Sequence, residues 1–162
     1  MSALDAATQA WLDQEDRHTV ETIRKYGTYI QYVGGDGDVE RAPFAYTVGL
    51  YGMGHPELVI LGVGPETAAA VLNDLSARIR HGSDLIPGGI LSFQVWQHRV
   101  RVEAVPNPGE IAFAANRLYQ RPDAFSVPLL QLTHDDVNGH FPDEVGYSIP
   151  AWIQPRPGQW RA

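Results

Sequence analysis

The chain has 162 residues and a net charge of −7, with 12 Lys and Arg against 19 Asp and Glu and no Cys. That balance argues against a nucleic acid partner, which needs a basic face to neutralise phosphates. The missing thiols exclude disulfides, thiolate chemistry and cysteine zinc sites. A hydrophobic fraction of 44% with 19% charged residues belongs to a folded chain, and this length supports a single domain, residues 1–162, around one core.

Met1-Ser2-Ala3-Leu4-Asp5 has neither the basic n-region nor the apolar h-region of a secretory leader. No apolar run approaches the roughly 20 residues that span a bilayer. The expectation is a cytoplasmic protein with no membrane partner. Residues 4–26 predict one or two helices, because Leu4, Ala7, Trp11 and then Val20, Ile23, Tyr26 recur at helical spacing before Gly27. The charged stretch 13–17 counts against one long helix, and Thr19 offers a cap for a second.

Residues 28–33 read as a strand, and Gly34-Gly35-Asp36-Gly37-Asp38 as a reversal. This glycine-rich turn lacks the Lys-Ser/Thr of a phosphate loop. Residues 44–50 and 57–63 predict two further strands, the second so apolar that it belongs in the middle of a sheet, buried on both faces. Gly64-Pro65-Glu66 opens a helix that runs to His81, with Ala68, Val71, Leu72, Leu75 and Ile79 as its buried stripe.

Strands are expected at 90–96, 99–105 and 125–132, and a shorter helix at 108–119. The segment 146–162, with Pro150, Pro155 and Pro157, shows no clear period and is expected to be an irregular or partly mobile tail. The fold class is therefore α+β, a mainly antiparallel sheet of about five to seven strands with two or three packed helices.

Two groups of residues can carry chemistry. The first is Tyr46, Thr47, His55 and Glu57, where His55 and Glu57 at a turn between paired strands would act as base and orienter. The second is His134, Asp135, Asp136, His140, Asp143 and Glu144 in a polar loop. Imidazole and carboxylate are suitable metal ligands, but the spacing matches neither a His-Glu-x-x-His helix nor an EF-hand, and Asp135-Asp136 before Asn138-Gly139 also describes a tight reversal. No metal and no cofactor is assigned. His55, Glu57, Tyr46 and His134 stand as candidate catalytic residues, and Thr47, Asp135, His140 and Asp143 as candidate ligand-binding residues. His18, His81 and His98 carry no such expectation.

The blocks Phe44-Ala45-Tyr46-Thr47-Val48-Gly49-Leu50, Gly54-His55-Pro56-Glu57-Leu58, Asn73-Asp74-Leu75, Leu130-Gln131-Leu132 and Gly139-His140-Phe141-Pro142 together resemble the bacterial family catalogued as domain of unknown function 4262. The resemblance spans residues 20–145. It implies a shared domain and no assigned activity. Family members often carry an aromatic after the last Phe-Pro, where this chain has Asp143. Fainter likenesses run to suppressor-of-fused-type interaction modules and to flavin-binding split barrels.

The leading functional expectation is an accessory or binding domain that recognises a protein, peptide or small ligand at a face built by residues 46–57 and 134–144. A cofactor-independent acid/base enzyme using His55 or His134 is the first alternative, and a flavin-dependent oxidoreductase the second. The sequence sets no oligomeric state.

Overall fold

A computed structural model describes residues 5–162. One six-stranded sheet runs through it: β1 (Tyr29–Val33), β2 (Phe44–Val48), β3 (Glu57–Leu61), β4 (Ile90–Leu91), β5 (Val100–Ala104) and β6 (Leu129–His134), in the spatial order β1-β2-β3-β6-β5-β4. Every neighbouring pair is antiparallel except β3 with β6, which is parallel. With α1 (Ala6–Tyr26), α2 (Pro65–Arg80) and α3 (Phe113–Leu118), the architecture is α+β.

β3 and β6 are buried at every position, as their apolar runs require of strands covered on both faces. Alternation sorts the side chains into two layers. Ala45, Leu58, Ile60, Val100, Val102, Leu130 and Leu132 pack against Ala68, Val71, Leu72, Leu75 and Ile79 of α2. Phe44, Tyr46, Val48, Val59, Leu61 and Leu129 pack on the other side against Ile111, Ala112 and Ala115 around α3, with Trp160 beside them. The sheet is open, with β1 and β4 at its edges. This differs from the closed sheet that a split-barrel likeness implies.

Of the one or two helices expected over residues 4–26 the structure has one, and three later elements depart from the expectation. α1 is one continuous helix, and Leu4 of the expected span lies outside the described residues. The helix is capped by Asp5, whose carboxylate accepts from the Thr8 N–H. Its charged stretch is solvated, and Thr19 returns its hydroxyl to the Glu15 carbonyl instead of capping a second helix. Residues 92–96 do not continue β4, because Phe93 and Trp96 turn onto the α2 side of the core while Arg78 donates to the Ser92 carbonyl.

The expected helix 108–119 splits into a 3₁₀ turn, Pro108–Glu110, and α3, with Ala112 held at ψ 51° between them. A side chain on Gly109 would lie 2.2 Å from the Asp123 carbonyl oxygen, so that close approach requires glycine. The last strand begins at Leu129, not at 125, because residues 123–125 form a further 3₁₀ turn.

The segment 146–162 has no helix or strand, yet it is fastened to the sheet. Gln154 donates to the His134 carbonyl and accepts from the His134 N–H. Buried Gln131 donates to the Pro155 carbonyl and accepts from Trp160 Nε1. Arg156 grips Glu103 through two nitrogens, at 3.0 and 2.9 Å.

Leu72 is fully buried between α2 and the sheet. Leu72→Ala is expected to lower unfolding free energy by about 2–5 kcal/mol, read as an earlier urea midpoint with unchanged slope.

Candidate functional site

The turn between β2 and β3 is built around one buried carboxylate. Glu57 Oε1 accepts from Thr47 Oγ1 at 2.8 Å and from the Leu50 N–H at 3.0 Å. Its Oε2 accepts from the N–H groups of Gly49 and Tyr51 at 3.0 and 3.1 Å. Thr47 Oγ1 in turn accepts from the Leu58 N–H. Burial pushes the Glu57 carboxyl above the usual carboxylate range, while the donors at Tyr51, Gly49, Thr47 and Leu50 pull the other way. The oxygens that general-base chemistry would need are spent on holding the chain through a turn where Gly49 has φ 134°.

His55 is likewise enclosed. Its Nδ1 lies 2.8 Å from the Pro56 carbonyl and its Nε2 accepts from the Leu85 N–H at 3.1 Å, so the imidazole joins this turn to the loop after α2. Exposed Asp84 stands 3.4 Å from the same nitrogen. Tyr46 sits in the α3-side core, its hydroxyl accepting from the Ala114 N–H, and burial pushes that phenol up to about 12. Tyr46, Thr47, His55 and Glu57 thus hold the backbone through this region.

The two halves of the expected binding face lie apart. In the β3–β6 register Glu57 stands beside Leu129, and His134 is five residues farther along β6, about 16 Å at strand rise. The parallel pairing therefore puts residues 55–57 at one end of the sheet and residues 134–144 at the other.

At that second end a different group assembles. His98, two residues before β5, places Nδ1 2.8 Å from Asp135 Oδ1. The Asp135 side chain is 4% exposed and also faces Arg99 Nε at 3.3 Å. A carboxylate at Nδ1 holds the proton there and leaves Nε2 as the basic nitrogen. His98 Nε2 has no hydrogen-bond partner among the described residues. His98 also lines an open cleft of about 560 Å³ formed by residues 92–98, with Ser92, Gln94 and Gln97 on its wall.

Trp96 packs 5.0 Å from the His98 ring and 5.7 Å from that of His134, centre to centre. His134 lies beneath them, with Nδ1 and Nε2 each 3.2 Å from a carbonyl oxygen, of Asp135 and Leu61 respectively. Burial holds its pKa below the ordinary value, the two carbonyls pulling upward.

The remaining loop residues serve the loop. Asp136 is buried; its Oδ1 accepts from the N–H groups of Asn138 and His140, and its Oδ2 from the N–H and hydroxyl of Ser148. Burial pushes the Asp136 carboxyl up, and these donors outweigh it, leaving it below the usual range. His140 lies over this loop, Nδ1 3.6 Å from Asp136 Oδ2. Asp143 pairs with Arg101 at 2.7 Å, and the Arg99 and Arg101 guanidiniums cover the Phe141 ring. Glu144 accepts from the Phe141 N–H. Among the described residues, no group of three or more His, Asp or Glu is placed to hold a metal ion.

Asp135 and His134 are thus brought together with His98, which sequence reading passed over. Its signal was present in the chain, a His beside an Arg at the head of an alternating strand, but its partner lies 37 residues away.

A family model described as Domain of unknown function (DUF4262) matches residues 22–148. The chain belongs to this family. The match takes in the Glu57-centred turn, His98 and the Asp136 loop, and ends before Trp152 and Trp160. No curated protein and no solved structure matches the chain.

Two outcomes are expected. Glu57→Ala strands three backbone N–H groups and costs about 3–5 kcal/mol of stability in urea unfolding, against about 1 kcal/mol for Tyr46→Phe; similar small losses would show that the carboxylate does not anchor the turn. His134 binds a proton less readily folded than unfolded, so below its ordinary value of 6.5 the unfolded chain takes up the proton first. Stability falls as pH drops from there towards the lowered folded value, and His134→Asn should flatten that slope.

Proposed function

We propose that this domain binds a small polar ligand in the cleft of residues 92–98, with the His98–Asp135 pair as its hydrogen-bonding and proton-accepting group. The observation that supports this is the 2.8 Å contact between His98 Nδ1 and an almost fully buried carboxylate, on an imidazole whose other nitrogen has no partner among the described residues. Trp96 supplies an apolar wall, and Ser92, Gln94 and Gln97 supply donors and acceptors. Such a mixture suits a small molecule better than a broad protein interface.

The same pair favours a second reading, acid/base catalysis. A His whose Nδ1 is held by a buried Asp presents Nε2 to a bound molecule, the geometry that general acid/base chemistry uses. In this reading His98 occupies the role that sequence reasoning gave to His55 or His134. Those two rings have both nitrogens facing backbone groups of the protein itself.

The test is a fragment screen by NMR with small polar probes. Hits are expected to shift the Trp96 indole and His98 imidazole signals, and Asp135→Asn, which removes the anion behind His98, should weaken them about tenfold. Hits confined to residues 46–57, or unaffected by His98→Asn, would overturn the proposal. Turnover of a bound probe that vanishes in His98→Asn would establish the catalytic reading.

A further inference from the structure

On the α3-side layer, a cleft of about 690 Å³ lies between the β1–β2 connection and the C-terminal segment. Phe44, Leu61, Trp152 and Trp160 supply aromatic and apolar wall, and Arg41 and Arg161 stand at its margin. We infer that this cleft is a binding site for a small organic oxyanion, a flat apolar body bearing one carboxylate or phosphate.

The wall is held in place before any ligand arrives. Trp160 donates through Nε1 to Gln131 Oε1 at 3.0 Å, from a glutamine that is fully buried, and its ring packs 5.1 Å from that of Phe44. The other side is equally fixed. Asp36 and Arg41 exchange two backbone hydrogen bonds of 2.8 Å, and a side chain on Gly35 would meet the Arg41 carbonyl at 2.5 Å. A site whose walls need no ordering loses less free energy when it binds.

Charge selects the ligand. Arg78, Arg99, Arg101, Arg117 and Arg156 are each paired with a carboxylate. Arg41 and Arg161 are exposed and, like Arg17 and Arg24 of α1, have no ion pair or side-chain hydrogen bond among the described residues; this cleft brings two of those four guanidiniums into one lining. In a chain of net charge −7, two unpaired guanidiniums flank the cleft, against the Glu40 carboxylate and the α-carboxylate of Ala162 in the same lining. Guanidinium forks match carboxylate and phosphate oxygens, and the indole faces suit a flat ring. This cleft lies on the opposite layer from His98, so the two sites stand or fall separately.

The experiment titrates the full chain with 2-naphthoate, phenyl phosphate and uncharged 2-naphthalenemethanol, following the four tryptophan indole N–H signals by NMR. Saturable shifts of the Trp152 and Trp160 signals are expected with at least one anion, with Trp11, on the exposed face of α1, unmoved. Arg41→Gln and Arg161→Gln should each weaken binding about fivefold to tenfold, and the uncharged probe should bind at least about tenfold more weakly. Both arginines are exposed, so the variants should melt with the parent. Which anion binds more tightly separates carboxylate from phosphate. Failure of both anions to saturate below about 5 mM, or equal binding of the uncharged probe or of both variants, would overturn the proposal.

Discussion

The parallel pairing of β3 with β6 is the constraint on which the rest of the molecule depends. Both strands are buried from end to end and sit in the middle of the sheet. A parallel neighbour cannot be reached by a tight hairpin, so a long crossover must separate the two strands in sequence. That crossover carries α2, which covers one face, and then the β4–β5 pair and α3, the last covering part of the other. Because the strands run the same way, their two ends are chemically distinct. One end receives the turn that leads into β3, and the other receives the loop that leaves β6.

Glu57 shows how the first end is held together. A carboxylate taken out of water needs its oxygens satisfied, and here a hydroxyl and three consecutive backbone N–H groups do so. Those N–H groups would otherwise be orphaned as the chain turns after β2. Thr47, His55 and Glu57 therefore each take up a backbone hydrogen bond at this end. Asp136 repeats the device at the other end, where its two oxygens gather Asn138, His140 and Ser148 into one loop. With both turns held this way, the imidazole of His98 and the indole of Trp160 are presented by rigid surroundings on opposite layers of the same sheet.

Most of the fold could be read from the chain. β1, β2, β3, β5 and α2 lie where periodicity and turn chemistry place them, and the burial of β3 follows from its unbroken apolar run. The failures were local. Residues 92–96 look like strand because they are apolar and aromatic, but Phe93 and Trp96 gain more by packing on the core than by extending a two-residue edge strand. The helix expected at 108–119 breaks at Ile111 and Ala112, after a 3₁₀ turn whose Gly109 lies against the Asp123 backbone, a contact with no trace in local spacing. The tail has no period, yet the side chains of Gln131 and Glu103 and the backbone of His134, all far away in sequence, fasten it.

The sequence by itself determined the fold class, the family, the central strand and the acidic, thiol-free character of the chain, because these depend on composition and on short-range pattern. Tertiary structure alone decided which polar residues are spent on the fold and which remain free. His55 and Glu57 are two residues apart and hold different parts of the backbone, whereas His98 and Asp135 meet across 37 residues. Hydrogen bonding is short-ranged and directional, so a candidate site exists only where the sheet register brings donor and acceptor within about 3 Å of each other.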